Sequence, residues 1–402
     1  MTLDQQSNIL FISTYPPVKC GIASFTQDLV KAIGIETSNI DIQVCALDKK
    51  EHTRVYKRPV SMVMDSYNLD SCIETAHTIN KDNSIKLLCI EHEFGLYGGD
   101  MGVYLMGFLA LIEKPFIIRF HTVLPAPCSQ RLKIVQQVSQ LADKVIVMTH
   151  NSARILQQDY ALSPEKIIII PHGTHNNSSI EVDELKATYD LSNKLVLCTF
   201  GLLSPNKGIE KGIMAMKAIR EEFPEAVYIV LGQTHPNLLA QQGEQYRRRL
   251  QQLIRDNNLL QNVRLVNEYV PVKKLMEYLA LTDLYLFTSL DPHQAVSGTF
   301  LYAMSAGCPI ISNSFVLAKE MLDAKTGIIL NTGSETELAE KAIGLLGDEQ
   351  LRRDMGQNAW LRTRDTTWKK VSAKHAQLFS GILGLRNAKF ASGNLYFNKS
   401  QK

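Results

Sequence analysis

Residues 194–208 read KLVLCTFGLLSPNKG. A β-branched apolar run ends on a glycine, Pro205 delays helix formation, and Lys207–Gly208 stand immediately before an amphipathic stretch. Such a run, apolar on both alternating faces, is a buried parallel strand feeding a strand-to-helix loop. Going toward the C-terminus the unit repeats: AVYIVLG (226–232), VRLVN (263–267), LYLFT (284–288), PIIS (309–312) and GIIL (327–330), with helical stretches between. Toward the N-terminus a polar stretch, Thr174–Asp183, separates this series from an earlier one. The earlier series comprises NILFIS (8–13), IQVCAL (42–47), KLLCIEH (86–92), FIIRF (116–120), KVIVM (144–148) and KIIII (166–170). Strands alternating with helices give parallel sheets covered on both faces. The break near residue 175 favours two doubly wound α/β domains over one closed (β/α)₈ barrel. The expected organisation is a first Rossmann-like domain over 1–175 and a second over 176–365. A terminal helix over 366–386 is expected to cross back to the first domain, followed by a disordered tail, 387–402.

The bulk numbers suit that reading. A chain of 402 residues is long for one domain, and 45% hydrophobic with 21% charged residues is ordinary for a globular protein. The net charge is +3, and Arg386, Lys389, Lys399 and Lys402 near the end have no acid among them, so the rest is close to neutral. That is not the footprint of a nucleic-acid binder. The seven cysteines are scattered without a C-x-x-C, which fits reduced thiols better than bridges or zinc. The N-terminus carries no secretory pattern, and the apolar run Met101–Ile112 is only 12 residues long against the ~20 of a membrane span. A cytoplasmic protein is expected, with at most a peripheral contact at a membrane face.

Ligands of open α/β sheets bind beyond the carboxyl ends of the strands, so the residues just after each strand are the candidates. After the first strand, Pro16 and Pro17 hold off the helix until Lys19, and Gly21, whose missing side chain allows a ligand to approach the backbone, precedes a helix expected to open near Ser24. After the third, EHEFGLYGGD places Glu91, His92 and Glu93 before a glycine-rich loop suited to a sugar. Glu91 and Glu93 are expected to point apart, which disfavours a shared metal. His121 stands at the tip of the fourth strand, and His172 and His175 are expected to line the cleft between the domains. In the second half, Gly201 and Lys207 precede a helix N-terminus, a cation-plus-dipole site for diphosphate. Ser297, Gly298 and Thr299 open another helix after strand 284–288, offering free N–H groups and hydroxyls. Neither a Walker loop nor an early G-x-G-x-x-G is present, which sets aside P-loop and nicotinamide readings. No Asp-x-Asp occurs, so no metal and no further cofactor is expected.

These residues together resemble the family 4 glycosyltransferases, retaining enzymes of the GT-B fold. The resemblance covers roughly residues 8–380 and rests on the opening Pro16–Gly21, HEFGLYGG (92–99), FHT (120–122), IPHG (170–173), FGLLSPNKG (200–208) and the stretch 290–309. Two departures mark a divergent subgroup. Leu202 replaces the family's usual arginine, and the usual pair of glutamates falls on Gln294 and Tyr302. The resemblance implies two Rossmann-like domains facing a cleft, a nucleotide-diphosphate sugar as donor and a glycan or other hydroxyl as acceptor. It also implies retaining, metal-independent transfer of a hexose, with HEFGLYGG tilting toward mannose. His121, Lys207 and Gln294 are then the expected catalytic residues. Gly21, Glu93, Gly201, Lys207, Ser297, Gly298, Thr299 and Tyr302 are expected to bind the nucleotide sugar. A phosphorylase of the same fold using inorganic phosphate, and a catalytically silent sugar- or nucleotide-binding subunit, are the alternatives.

Overall fold

In the computed structural model the described residues are 7–36, 40–49, 51, 54–175 and 181–384, so the expected tail lies outside them. Among the described residues, thirteen strands form two parallel sheets. The first contains β1 (Ser7–Ser13), β2 (Ile40–Asp48), β3 (Val60–Asp65), β4 (Ile85–His92), β5 (Phe116–Phe120), β6 (Lys144–Val147) and β7 (Ile167–Ile169). The second contains β8 (Leu195–Phe200), β9 (Ala226–Leu231), β10 (Val263–Val266), β11 (Leu284–Phe287), β12 (Ile310–Ser312) and β13 (Ile328–Ile329). Their orders are β3-β2-β1-β4-β5-β6-β7 and β10-β9-β8-β11-β12-β13. In both, the order reverses beside the first strand of the unit, between β1 and β4 and between β8 and β11. These are the switch points at which such sheets open a crevice. The protein therefore has the GT-B architecture, two Rossmann-like lobes.

The central strands are buried on both faces: Ile9, Leu10, Phe11 and Ile12 in β1 have no exposed surface. Strand β3 is absent from the sequence-based expectation, and its pattern explains why. VSMVMD interleaves half-exposed and exposed positions at the sheet's edge instead of forming one apolar run. The apolar run Met101–Ile112 does not form one helix: a tight turn, Asp100–Gly102, precedes a short helix, Tyr104–Leu109, because Gly99, Met101 and Gly102 all take positive φ.

Two chain crossings join the lobes side by side. Thr174 pairs in parallel with Thr367, its N–H donating to Thr366 O at 2.8 Å and its carbonyl accepting from Trp368 N at 3.0 Å. Gly173 is required here, since a Cβ would lie 2.1 Å from the Trp368 ring. The terminal helix Trp368–Ile382 then lies on the N-lobe against helix Gly21–Glu36, and Phe379 meets Phe11 edge-on at 6.2 Å. Among the described residues no helix is long and apolar enough to cross a membrane.

Candidate active site

Both loops flanking the C-lobe switch point are tied into one unit. Gly201 follows β8 with φ +136°, and a Cβ there would lie 3.3 Å from Thr299 Cγ2. The turn Pro205–Lys207 is held by Thr288 Oγ1, which donates to Lys207 O at 2.8 Å, and by Leu290 N, which donates to Asn206 O at 2.8 Å. Gly208 closes the turn at φ +59°, and a Cβ would sit 2.5 Å from the Thr288 carbonyl oxygen, so only glycine fits. The loops after β8 and β11 thus hold Lys207 and the N-terminus of helix Gly298–Ser305 at the same end of the sheet.

Lys207 is half-buried, and its ammonium makes no hydrogen bond or ion pair among the described residues. Desolvation lowers its pKa below the ordinary lysine value, with Asp291 partly offsetting the shift. A partly desolvated cation without a partner is poised for an anion. After β11, Ser297 caps helix Gly298–Ser305: its hydroxyl accepts from Phe300 N at 3.4 Å and lies 3.1 Å from Thr299 Oγ1. The amides of Gly298 and Thr299 are the open donors of that helix end.

The N-lobe supplies the facing wall. Phe25 stands edge-on to His121 at 5.2 Å and to His172 at 5.0 Å. His172 donates from Nδ1 to Gly173 O at 2.7 Å, which leaves Nε2 bare. That nitrogen would lie 3.2 Å from a Cβ on Gly298, so the two walls meet there. Burial pushes the His172 pKa down to about 4, against a smaller upward effect of its bond to Gly173, and keeps the ring neutral. His121 Nε2 lies 2.6 Å from Glu91 Oε2.

The remaining predicted residues take varied positions. Gly21 begins its helix, with nothing within 4 Å of where a Cβ would stand. Glu93 caps the turn Phe94–Leu96, accepting from Phe94 N at 3.2 Å and from the Thr122 hydroxyl at 2.5 Å. Glu91 and Glu93 have separate partners, Arg119 and His121 for the first and Thr122 for the second; the expectation of opposite strand faces does not apply, since β4 ends at His92 and residues two apart within a strand share a face. Gln294 is turned into its own loop, donating from Nε2 to Val296 O at 3.0 Å. Tyr302 donates to Asp28 Oδ2 of the N-lobe at 3.0 Å and is buried there. Sequence reasoning did not anticipate Phe25 or Asp28 at the lobe contact; both lie on the inner face of an ordinary amphipathic helix, which carries no distinguishing signal.

Further contacts close the lobes on either side. Lys19 Nζ donates to Gln233 Oε1 at 2.9 Å, and Ser24 Oγ lies 2.6 Å from Tyr269 Oη. On the other side the Glu320 carboxylate accepts from the amides of His150 at 3.0 Å and Asn151 at 3.2 Å.

Residues 182–362, which include every C-lobe candidate, match the family model described as glycosyl transferases group 1. This lobe is thus similar to the group 1 glycosyltransferases, over somewhat less than half of the chain. Curated relatives include the D-inositol 3-phosphate glycosyltransferase of Corynebacterium glutamicum (strain R), 23% identical over 63% of this chain and 60% of that one. An uncharacterized glycosyltransferase of Methanocaldococcus jannaschii, MJ1069, is 24% identical over 60% of this chain and 59% of its own length. The matched region thus spans about six-tenths of these relatives. Among solved structures, Anabaena Alr3699/HepE in complex with UDP and glucose superposes with a TM-score of 0.72 at 17% identity, covering 93% of this chain and all of that one. Sucrose-phosphate synthase from Thermosynechococcus elongatus gives 0.75 at 16% identity, covering 94% of this chain and all of that one. At such identities these structures establish the GT-B fold and nothing finer.

Proposed function

We propose that this protein is a retaining, metal-independent glycosyltransferase that moves a hexose from a nucleotide-diphosphate sugar to the hydroxyl of a glycan or other acceptor. The observation that carries the reading is Lys207: a half-buried ammonium with no hydrogen bond or ion pair among the described residues, on a loop tied at Thr288 and Leu290 to the loop that leads to the open amides of Gly298 and Thr299. A diphosphate leaving group gains negative charge as the glycosidic bond breaks. A fixed cation and helix amides aimed at it stabilise that charge without reorganising at the moment of reaction. This arrangement supplies electrostatically what a bound metal ion would otherwise supply.

In the proposed step the acceptor oxygen bonds to the anomeric carbon on the face from which the β-phosphate oxygen departs, and the acceptor proton passes to the departing diphosphate. His121, on the N-lobe wall, orients the sugar or acceptor. Gln294 and Tyr302, turned toward their loop and toward Asp28, act by holding the loop and the lobes. Because Alr3699/HepE was solved with UDP and with UDP-glucose, UDP-hexoses are the first donor class to test, and GDP-mannose follows from the HEFGLYGG loop. The protein is expected to act in the cytoplasm on donor and acceptor alone, with no cofactor.

Incubation with UDP-, GDP- and ADP-hexoses and a panel of glycan acceptors, with and without a chelator, tests the reading by proton NMR of the product anomer. Transfer with the donor's anomeric configuration in the presence of chelator is expected. An inverted product, or loss of transfer on chelation, contradicts it.

A further inference from the structure

Glu91 and Arg119 occupy facing positions on the neighbouring parallel strands β4 and β5, so their side chains share a face of the sheet. His121 lies two residues beyond Arg119, which carries it onto the same face. Glu91 and Arg119 are both wholly buried, and Arg119 Nη1 donates to Glu91 Oε1 at 2.5 Å. The other guanidinium terminus, Nη2, meets Nε2 of His375 on the terminal helix. His375 Nδ1 lies 2.8 Å from Val371 O, so Nδ1 carries the hydrogen and Nε2 is the acceptor. Burial, reinforced by Arg119, holds the His375 pKa well below the ordinary value and keeps the ring neutral for that role. Phe25 lies against the guanidinium at 4.9 Å. Arg119 is therefore fixed on three sides, and it holds Glu91 with one oxygen, Oε2, left for His121 Nε2 at 2.6 Å.

We infer that Glu91 is a positioning residue, which fixes the His121 ring with its hydrogen on Nε2 and leaves the Nδ1 lone pair to accept a hydrogen bond from a substrate hydroxyl. Arg119 sets the carboxylate, and His375 makes the terminal helix part of the setting. The inference rests on the reading of His121 as a substrate-facing residue of a transferase.

Two measurements on the full chain test it. Long-range proton–nitrogen NMR of the histidine-labelled wild type at pH 8, without donor, reads the tautomer directly. Hydrogen on Nε2 of His121 is expected, and hydrogen on Nδ1 overturns the inference whether or not the protein transfers sugar. The second is a double-mutant cycle of Glu91→Gln and His121→Ala in donor turnover. Glu91→Gln is expected to lower kcat about 10- to 100-fold with little change in donor KM, and to have no further effect on the His121→Ala background. An equal loss on both backgrounds marks Glu91 as merely structural. If Glu91→Gln does not fold, the tautomer measurement still decides. Wild-type protein that consumes no sugar donor contradicts the transferase reading separately, leaving the tautomer result standing.

Discussion

The Tyr302 hydroxyl lies 3.0 Å from Asp28 Oδ2 and joins the C-lobe helix that carries the proposed phosphate-binding amides to the first helix of the N-lobe. His175 Nε2 lies 3.0 Å from the same oxygen. One N-lobe carboxylate oxygen therefore gathers a group from the C-lobe and one from the crossing between the lobes. Where the family resemblance places a glutamate gripping donor hydroxyls, this chain has a tyrosine holding the lobes together.

Tyr302→Phe tests that distinction. Removing the hydroxyl deprives a buried carboxylate of one donor, which costs about 1–3 kcal/mol. A lower melting temperature is expected, together with a larger radius of gyration by small-angle X-ray scattering, while affinity for free nucleoside diphosphate stays within about threefold of wild type. A selective loss of nucleotide affinity without change in shape would return Tyr302 to the donor site.

Two glycines should behave oppositely. Gly208→Ala places a Cβ 2.5 Å from a backbone oxygen at φ +59°. It should destabilise the fold by at least about 2 kcal/mol and displace Lys207 with it. Gly21→Ala meets nothing within 4 Å and should leave the melting temperature unchanged or slightly raised. It should nevertheless weaken donor or acceptor binding if a ligand approaches that backbone. Calorimetric melting and binding of both variants separates the two effects.

Stability should fall early in acid. Burial, with His121 adding to it, lowers the His92 pKa to about 3, and burial lowers that of His172 to about 4, from an ordinary 6.5. Groups with depressed folded-state pKa contribute stability that is fully present above about 6.5 and is lost as pH falls toward the folded values. At pH 5 each histidine has forfeited roughly 2 kcal/mol. The carboxylate of Glu337, held down to about 2 by the Asn331 amide and by Thr332, does not contribute until the pH is below its ordinary 4.5. Thermal melts should be flat from pH 8 to 6.5 and drop by several degrees by pH 5; a flat profile down to pH 5 contradicts neutral buried rings.

The strand scaffold was legible because parallel strands covered on both faces are apolar almost without interruption, and twelve of the thirteen strands carry that mark. Edge strand β3 does not. The placement of the candidate anion-site residues was legible for a local reason: Lys207–Gly208 and Ser297–Thr299 follow β8 and β11, and what a helix N-terminus offers is set within a few residues. Side-chain direction was not. Gln294 and Tyr302 occupy the expected positions, yet one turns into its loop and the other to Asp28, since a position in a motif does not specify a partner from another lobe. The Glu91–Arg119 pair depends on the register of two strands 28 residues apart, and the His375 contact joins residues 256 apart. Neither separation leaves a trace in local pattern.

The central claim is that Lys207 and the amides of Gly298 and Thr299 bind the diphosphate of the donor. Isothermal titration of UDP, GDP and ADP into wild type and Lys207→Met measures it most directly. The account predicts that at least one nucleoside diphosphate binds the wild type without added metal. It further predicts that Lys207→Met weakens this binding about 10- to 100-fold, with no loss of melting temperature, because the ammonium makes no hydrogen bond or ion pair among the described residues. Unchanged affinity in the variant, or binding of none of the three, would contradict it.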